Sequence, residues 1–399
     1  MLPNIRRDDH LYAVPKFDLD KGDIADFGNE LRGFHEQFAE CFQRSESREH
    51  FFSYMAGQFS DLERKSIEPI ALALKDANVR ALQRFVSDAP WDDDKIISKY
   101  RSFVNDDLGS PDGALIFDES GFVKKGQDSV GVARQYCGTI GKVDNCQVGV
   151  FAGYVSERGY ALVDKRLFIP EKWFGDDYLE RRKKCKLPAD TVFRTKPELA
   201  AEMLNAFSQE DVLPFKYVLA DSLYGVSPEF IAGVEALPGK TYFVSVPKDT
   251  LCWLKRPMTI TKEYRWGGKK RTKRVLVDPD GKPLAVKDLA KNMNDYFWYR
   301  RKVSEGTKGP VVYEFTRRRV ILSAAGLPNI TVWLLMRRTL GDDPQYSYFI
   351  SNASGSTRLK TLVWLSGLRW AIDRVFRKPR QNWAWTTTRC ESFQDGTTT

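Results

Sequence analysis

The stretch Ala114-Leu115-Ile116-Phe117-Asp118-Glu119-Ser120-Gly121-Phe122 joins four apolar residues to an acidic pair and a Ser-Gly. An unbroken apolar run is typical of a strand that is buried on both faces. Ser120 and Gly121 are residues that favour turns, so they predict the end of that strand. A carboxylate at the end of a buried strand is costly to desolvate unless a cation or hydrogen bonds compensate its charge. Asp118 is therefore either a cap of its own turn or a functional residue.

The same pattern recurs in a second stretch, Phe215-Lys216-Tyr217-Val218-Leu219-Ala220-Asp221-Ser222-Leu223-Tyr224-Gly225. Two aspartates that each follow a predicted strand favour a shared metal site. All three histidines (His10, His35 and His50) lie within the first 50 residues. A histidine-based metal centre or a histidine general base in the rest of the chain is therefore excluded. The remaining oxygen ligands favour Mg²⁺ or Mn²⁺.

Length and composition indicate a soluble globular protein. The chain has 399 residues, 42% hydrophobic and 29% charged, which leaves room for two or three domains. It contains no apolar run of about 18 to 20 residues and no apolar core of a signal peptide. We therefore expect a cytoplasmic bacterial protein that is associated with the nucleoid when it is bound to DNA. The six cysteines are scattered without a C-x-x-C pair, which argues against a zinc site and a disulfide framework.

The positive charge is concentrated in one part of the chain. The formal net charge is +9, yet residues 1–104 carry 15 Lys/Arg against 19 Asp/Glu. Residues 253–320 carry 19 Lys/Arg against 7 Asp/Glu, an excess of 12 positive charges. Such a segment predicts a polyanionic partner. The alternative, a solvated charged face, rarely leaves so large an imbalance of one sign.

Periodicity divides the chain into a helical and a mixed part. Residues 29–86 have helical spacing, and Asp92–Asp94 read as the N-cap of a further helix rather than as a metal cluster. After the turn at 109–113, we predict strands at 114–118, 145–155 and 160–169, a helix at 197–207, a strand at 215–221, a helix at 228–235 and a strand at 241–246. This order is that of an α/β, ribonuclease-H-like fold. Its first and fourth strands are neighbours, which would bring Asp118 and Asp221 together.

Residues 250–345 interrupt this order with short predicted strands that are rich in aromatic and basic residues. Aromatic rings stack on bases or sugars while Lys and Arg neutralise phosphates, so this mixture suits DNA. The alternative is an ordinary β-rich insertion with a solvated face. The candidate DNA-binding residues here are Arg265, Lys269, Lys270, Arg271, Arg300, Arg301, Arg317 and Arg318. Residues 356–373 return to helical spacing.

Five motifs together resemble the IS701-like, IS4-related DDE insertion-sequence transposases. They are Phe117-Asp118-Glu119-Ser120-Gly121-Phe122, Leu167-Phe168-Ile169-Pro170-Glu171-Lys172-Trp173, Phe193-Arg194-Thr195-Lys196-Pro197, Ala220-Asp221-Ser222-Leu223-Tyr224-Gly225 and Leu368-Arg369-Trp370-Ala371-Ile372-Asp373. The resemblance implies a ribonuclease-H-like core, split by a β-rich insertion, that cleaves and transfers DNA strands at insertion-sequence ends. It also implies two Mg²⁺ (or Mn²⁺) ions, double-stranded DNA partners (terminal inverted repeats and target DNA) and a homodimer on DNA.

The resemblance also assigns the site residues. Asp118 and Asp221 match the first two metal-binding acids of the family. Arg369, a further candidate DNA contact, matches an arginine that precedes the third acid by four residues. Asp373 stands at that third position, where the family has Glu. The implied catalytic and metal-binding set is therefore Asp118, Asp221 and Asp373.

The sequence departs from the family pattern after this position. Arg380 stands where the family has a lysine, and Pro379 would break a continuing helix. A permitted codon string for residues 376–390, read in another frame, encodes an amphipathic helical continuation. We interpret this as a frameshift near codon 373, with Asp373 itself a product of it, and we expect residues 377–399 to be disordered or irregularly packed. A native tail is the alternative.

The predicted domains are a helical N-terminal domain (1–105), the first part of the core (106–249), a basic β-rich insertion (250–345), the C-terminal helix of the core (346–376) and an aberrant tail (377–399). The predicted function is metal-dependent DNA strand cleavage and transfer, with this copy inactive if its C-terminus is lost. The alternative is a non-catalytic remnant that occupies transposon ends. A hydrolase with an aspartyl nucleophile fits less well, because Ser120 stands where its signature needs a second Asp.

Overall fold

The computed structural model describes residues 20–74, 77–267, 269–278, 280–306 and 309–369. The N-terminal part is helical, as predicted. Its helices are α1 (Lys21–Glu36), α2 (Ser45–Gln58), α3 (Ile67–Ala73), α4 (Val79–Ser87) and α5 (Asp93–Leu108). They share a core in which Phe38, Phe42 and Phe85 are buried. The Asp92 side chain accepts a hydrogen bond from the backbone N–H of Lys95, so this residue caps α5.

Fourteen strands follow in the described residues. They are β1 (Ala114–Val123), β2 (Ala133–Cys137), β3 (Lys142–Val155), β4 (Tyr160–Phe168), β5 (Tyr217–Ala220), β6 (Thr241–Val246), β7 (Leu251–Trp253), β8 (Thr259–Trp266), β9 (Lys269–Leu276), β10 (Leu284–Ala285), β11 (Tyr299–Gly306), β12 (Gly309–Ala324), β13 (Leu327–Arg338) and β14 (Tyr346–Ser351). Between and after them lie α6 (Leu179–Lys184), α7 (Lys196–Glu210), α8 (Ser222–Gly225), α9 (Pro228–Glu235), α10 (Val286–Lys291) and a helix over residues 359–369, α11.

One mixed sheet of twelve strands organises the described chain around β1. Its order is β10-β7-β12-β13-β14-β6-β5-β1-β3-β2, with β4 paired to β3 and β11 to β12. Strand β1 is antiparallel to β3 and parallel to β5, and β5 is parallel to β6. The first and fourth predicted core strands, β1 and β5, are therefore neighbours. This order confirms the α/β, ribonuclease-H-like fold class.

The predicted end of β1 at the Ser-Gly pair is wrong. The strand continues through Ser120, which pairs with Gly149, and through Gly121, which pairs with Val148. Gly121 serves a close approach between strands rather than a turn, because a Cβ there would lie 2.7 Å from the sulfur of Cys137. Only the parallel pairing with β5 ends near the acidic pair, at Phe117.

The strands of residues 250–345 extend the same sheet. Strand β14 pairs with β6, and β13, β12 and β7 continue outward from it. We predicted short strands here, but β12 has 16 residues and β13 has 12. Strands β8 and β9 form a separate two-stranded sheet.

Both faces of the central sheet are covered, which explains the unbroken apolar run of β1. Leu115 and Phe117 pack in a core with residues of α7 and α9. Ile116 packs in a second core with Leu362 and Leu365 of α11.

No helix among the described residues is long and apolar enough to cross a membrane.

Candidate metal centre

The sheet brings the two predicted aspartates together. The parallel pairing of β1 with β5 ends at Phe117 and Ala220, which are direct partners. Asp118 is the next residue on β1, and Asp221 directly follows the last residue of β5. One carboxylate oxygen of each, together with one of Glu119, lies in a group whose atoms are all within 4.8 Å of one another. The expected proximity of Asp118 and Asp221 is therefore observed, while their role as metal ligands stays a prediction.

The third carboxylate of this group, Glu119, was missed by the sequence analysis. Side chains alternate along a strand, so Glu119 lies on the α7 side of the sheet while Asp118 lies on the α11 side. Lys196, at the first position of α7, places its Nζ 3.0 Å from Glu119 Oε1. The Tyr224 hydroxyl, on α8, donates to Glu119 Oε2 at 3.0 Å. The sequence did offer one signal for Glu119, because this residue directly follows Asp118 in the stretch 114–122.

The electrostatics show that these carboxylates repel one another in a poorly hydrated place. Burial first, and then the nearby Asp221, raise the pKa of Asp118 against the opposing effect of Arg369, and the net result is a pKa of about 7. The pKa of Asp221 is also raised, first by burial and then by Glu119, again against the effect of Arg369. Groups with strongly perturbed pKa values cluster at functional sites.

The donor set fits a divalent cation. Three carboxylate oxygens converge, and oxygen is the ligand that Mg²⁺ and Mn²⁺ prefer. A bound cation would also relieve the repulsion that raises the pKa of Asp118 and Asp221. The residues present therefore fit the predicted ion chemically.

Arg369 lies beside the carboxylates and not on an open surface. Its guanidinium donates to the Ser245 hydroxyl at 2.7 Å, which ties α11 to β6. Its Nε is buried and has no hydrogen-bond partner among the residues that the structure describes. This placement gives the residue an electrostatic role at the cluster, and its predicted contact with DNA stays a prediction. Asp373, the predicted third acid, lies outside the described residues, as does the 377–399 tail.

The other predicted DNA-binding residues fall into two groups. Arg265, Lys269, Lys270 and Arg271 are exposed on β8 and β9. The four predicted arginines on β11 and β12 already have protein contacts. Arg300 pairs with Glu314, Arg301 lies over Tyr299, Arg317 packs on Trp333 and donates to the Thr357 carbonyl, and Arg318 lies over Phe297. Their contacts with DNA stay predictions.

Comparisons with known proteins give the family of this chain. A family model described as "DDE superfamily endonuclease" matches residues 37–310, a range that contains all three carboxylates. A probable transposase for insertion sequence element IS701 from Microchaete diplosiphon is 34% identical over 202 residues. That alignment covers 49% of this chain and 48% of the relative, so the chain matches about half the length of this curated relative. The resemblance to IS701-like transposases is thereby confirmed.

Two solved structures are similar at low identity. One is a piggyBac transposase synaptic complex with hairpin DNA, with a TM-score of 0.36, 10% identity and coverage of 85% of this chain and 59% of that chain. The other is the NurA nuclease from Sulfolobus solfataricus, with a TM-score of 0.27, 10% identity and coverage of 74% and 96%. Both scores are too low to establish a common fold.

Proposed function

Because the chain belongs to the DDE superfamily of endonucleases, we propose that it cleaves and transfers DNA strands by divalent-metal-dependent phosphoryl transfer at the ends of an insertion sequence. Its substrate is double-stranded DNA, both the terminal inverted repeats and the target. A homodimer on DNA is part of the proposal, since two ends must be processed together. The proposed ions are Mg²⁺ or Mn²⁺, two per site.

The observation that carries the proposal is the convergence of Asp118, Glu119 and Asp221 within 4.8 Å where the parallel pairing of β1 and β5 ends. Half-buried carboxylates so close together are unfavourable for folding alone, because each opposes the ionisation of the others. A protein therefore keeps such a group for a ligand that needs it. Two divalent ions in a carboxylate site supply an activated oxygen nucleophile and stabilise the leaving oxygen of an in-line phosphoryl transfer.

The chain's own residues divide the work of holding this site. Asp118 and Asp221 are the proposed metal ligands, and the pairing of β1 with β5, whose last residue directly precedes Asp221, fixes their separation. Glu119 contributes negative charge and is oriented by Lys196 and Tyr224. Arg369 balances part of the charge from the α11 side. Asp373 is the proposed third ligand on the strength of the family resemblance.

The test is Mg²⁺- or Mn²⁺-dependent nicking of supercoiled plasmid DNA that carries the flanking inverted repeats. Asp118→Asn and Asp221→Asn should each abolish nicking, with unchanged DNA binding. Asp190→Asn is the matched control, because this aspartate is exposed in a turn outside the cluster. Nicking that survives both cluster substitutions would contradict the proposal.

Nicking also separates this function from the non-catalytic alternative. A remnant that only occupies transposon ends would bind the repeats and nick neither with Mg²⁺ nor with Mn²⁺. Direct Mn²⁺ binding by the wild type, measured by electron paramagnetic resonance, is the readout that does not depend on the C-terminal tail.

A further inference from the structure

The β8–β9 ribbon, formed by Thr259–Trp266 and Lys269–Leu276, has two unlike faces. Directly paired residues of an antiparallel ribbon share a face, and successive pairs alternate between faces. Trp266 pairs with Lys269, Tyr264 with Arg271 and Lys262 with Lys273. These three pairs make up the polar and aromatic part of one face, here called the aromatic face.

The opposite face is different in composition. There Arg265 pairs with Lys270, Glu263 with Thr272 and Thr261 with Arg274. It carries the one acid of the two strands, and Arg274 donates to the Thr259 hydroxyl at 2.9 Å. The aromatic face carries four cations and no acid. Electrostatics therefore favour a polyanion on the aromatic face.

The charges of the ribbon oppose its own folding. Lys262 and Lys273 are directly opposite each other, and like charges at such positions destabilise a ribbon. Both are exposed, and none of the described contacts gives either an acidic partner. A bound polyanion would remove this repulsion.

The aromatic side chains of the same face are placed for contact rather than for packing. Trp266 is 71% exposed at the end of β8, and Tyr264 is 42% exposed. Gly267, with a φ of +58°, begins the turn that leaves Trp266 at the tip. An exposed Trp between cations combines a flat apolar surface with phosphate-neutralising groups, which is the mixture that nucleic acids bind.

We propose that the aromatic face of the β8–β9 ribbon is a DNA-binding surface, with its lysines and Arg271 on phosphates and Trp266 against a base or sugar. A two-stranded ribbon is narrow enough to enter the major groove of duplex DNA. The inference rests on the proposed function, which supplies DNA as the partner. It goes further by stating that the aromatic face of the ribbon contacts DNA and that Trp266 makes the contact that is not electrostatic.

The test compares two matched double variants of the full chain. Lys262→Gln/Lys273→Gln removes one cross-strand pair of charges from the aromatic face, and Arg265→Gln/Lys270→Gln removes one from the opposite face. Binding of a fluorescent duplex is measured by anisotropy across a series of salt concentrations. The first variant should reduce the slope of log K against log salt by about 2, since each lost phosphate contact releases about one counterion fewer. The second should leave the slope close to the wild-type value, because Arg265 and Lys270 lie on the face opposite the proposed surface. The proposal therefore replaces the earlier expectation that these two residues contact DNA.

Trp266→Ala provides an independent arm. It should weaken binding on the order of tenfold, the scale of one base–aromatic contact, without changing the salt slope. Equal slope changes in the two double variants, or none in either, would overturn the choice of face. Metal-dependent nicking in that case would leave the proposed function standing. A wild-type chain that binds no DNA at all would overturn both.

Discussion

Asp118→Asn should stabilise the metal-free protein, and the gain should depend on pH. Burial raises the pKa of Asp118 from an ordinary value of 3.8 to about 7. The folded protein therefore binds this proton more tightly than the unfolded chain does. Stability from this group is fully present below about pH 4 and is lost as the pH rises to about 7.

The magnitude follows from the size of the shift. At about 1.4 kcal/mol per unit, ionised Asp118 costs the folded state up to about 4 kcal/mol above pH 7. Part of that cost is already present at pH 5. The difference in unfolding free energy between Asp118→Asn and the wild type should therefore grow by about 2–3 kcal/mol between pH 5 and pH 8.

Urea denaturation in the presence of a chelator measures this difference, with Asp190→Asn as the control that should show no such growth. Adding Mg²⁺ at about ten times its dissociation constant should return about 1.4 kcal/mol to the wild type and little to Asp118→Asn. A difference that is the same at both pH values would refute the reasoning, because the carboxylate would then not be destabilised by its surroundings.

Three further outcomes are expected. Tyr224→Phe removes the donor to Glu119 and should lower the unfolding free energy by about 1–3 kcal/mol in a thermal or urea melt. Tyr242→Phe should be nearly neutral in the same melt, because the buried Tyr242 hydroxyl has no hydrogen-bond partner within the described part of the chain. Arg101→Met removes the buried cation that pairs with Asp164 and Glu210, so it should lower the unfolding free energy by about 3–5 kcal/mol. A loss below 1 kcal/mol would show that other contacts hold α5 to the core. A chain whose reading frame is restored after Ile372 should nick a donor plasmid faster than the present chain, and equal rates would show that the tail is a native working part.

The core topology could be predicted because the central strands contain recognisable apolar runs that follow one another, with the helices, in a characteristic order. The neighbouring positions of β1 and β5 followed from element order alone, and with them the meeting of Asp118 and Asp221. The end of β1 could not be predicted, because Gly121 is a turn former in isolation. A glycine is required at this position because the side chain of Cys137, on another strand, leaves no room for a Cβ.

Long-range contacts also explain what was missed at the site. Glu119 reads as one half of an acidic pair, and nothing local shows that Lys196 and Tyr224 converge on it. The strands of residues 250–345 carry the composition of an insertion, yet β14 pairs with β6 and joins them to the core sheet. Composition predicts a basic surface, but it does not predict which arginines pack against other side chains, as Arg317 packs on Trp333.

The most direct test of the metal centre is diffraction from crystals soaked in Mn²⁺, recorded at a wavelength where manganese scatters anomalously. The account predicts an anomalous peak within coordinating distance of carboxylate oxygens of both Asp118 and Asp221, and its loss in Asp118→Asn crystals. A saturating soak that gives no peak between these two residues, or an equal peak in the variant, would contradict it.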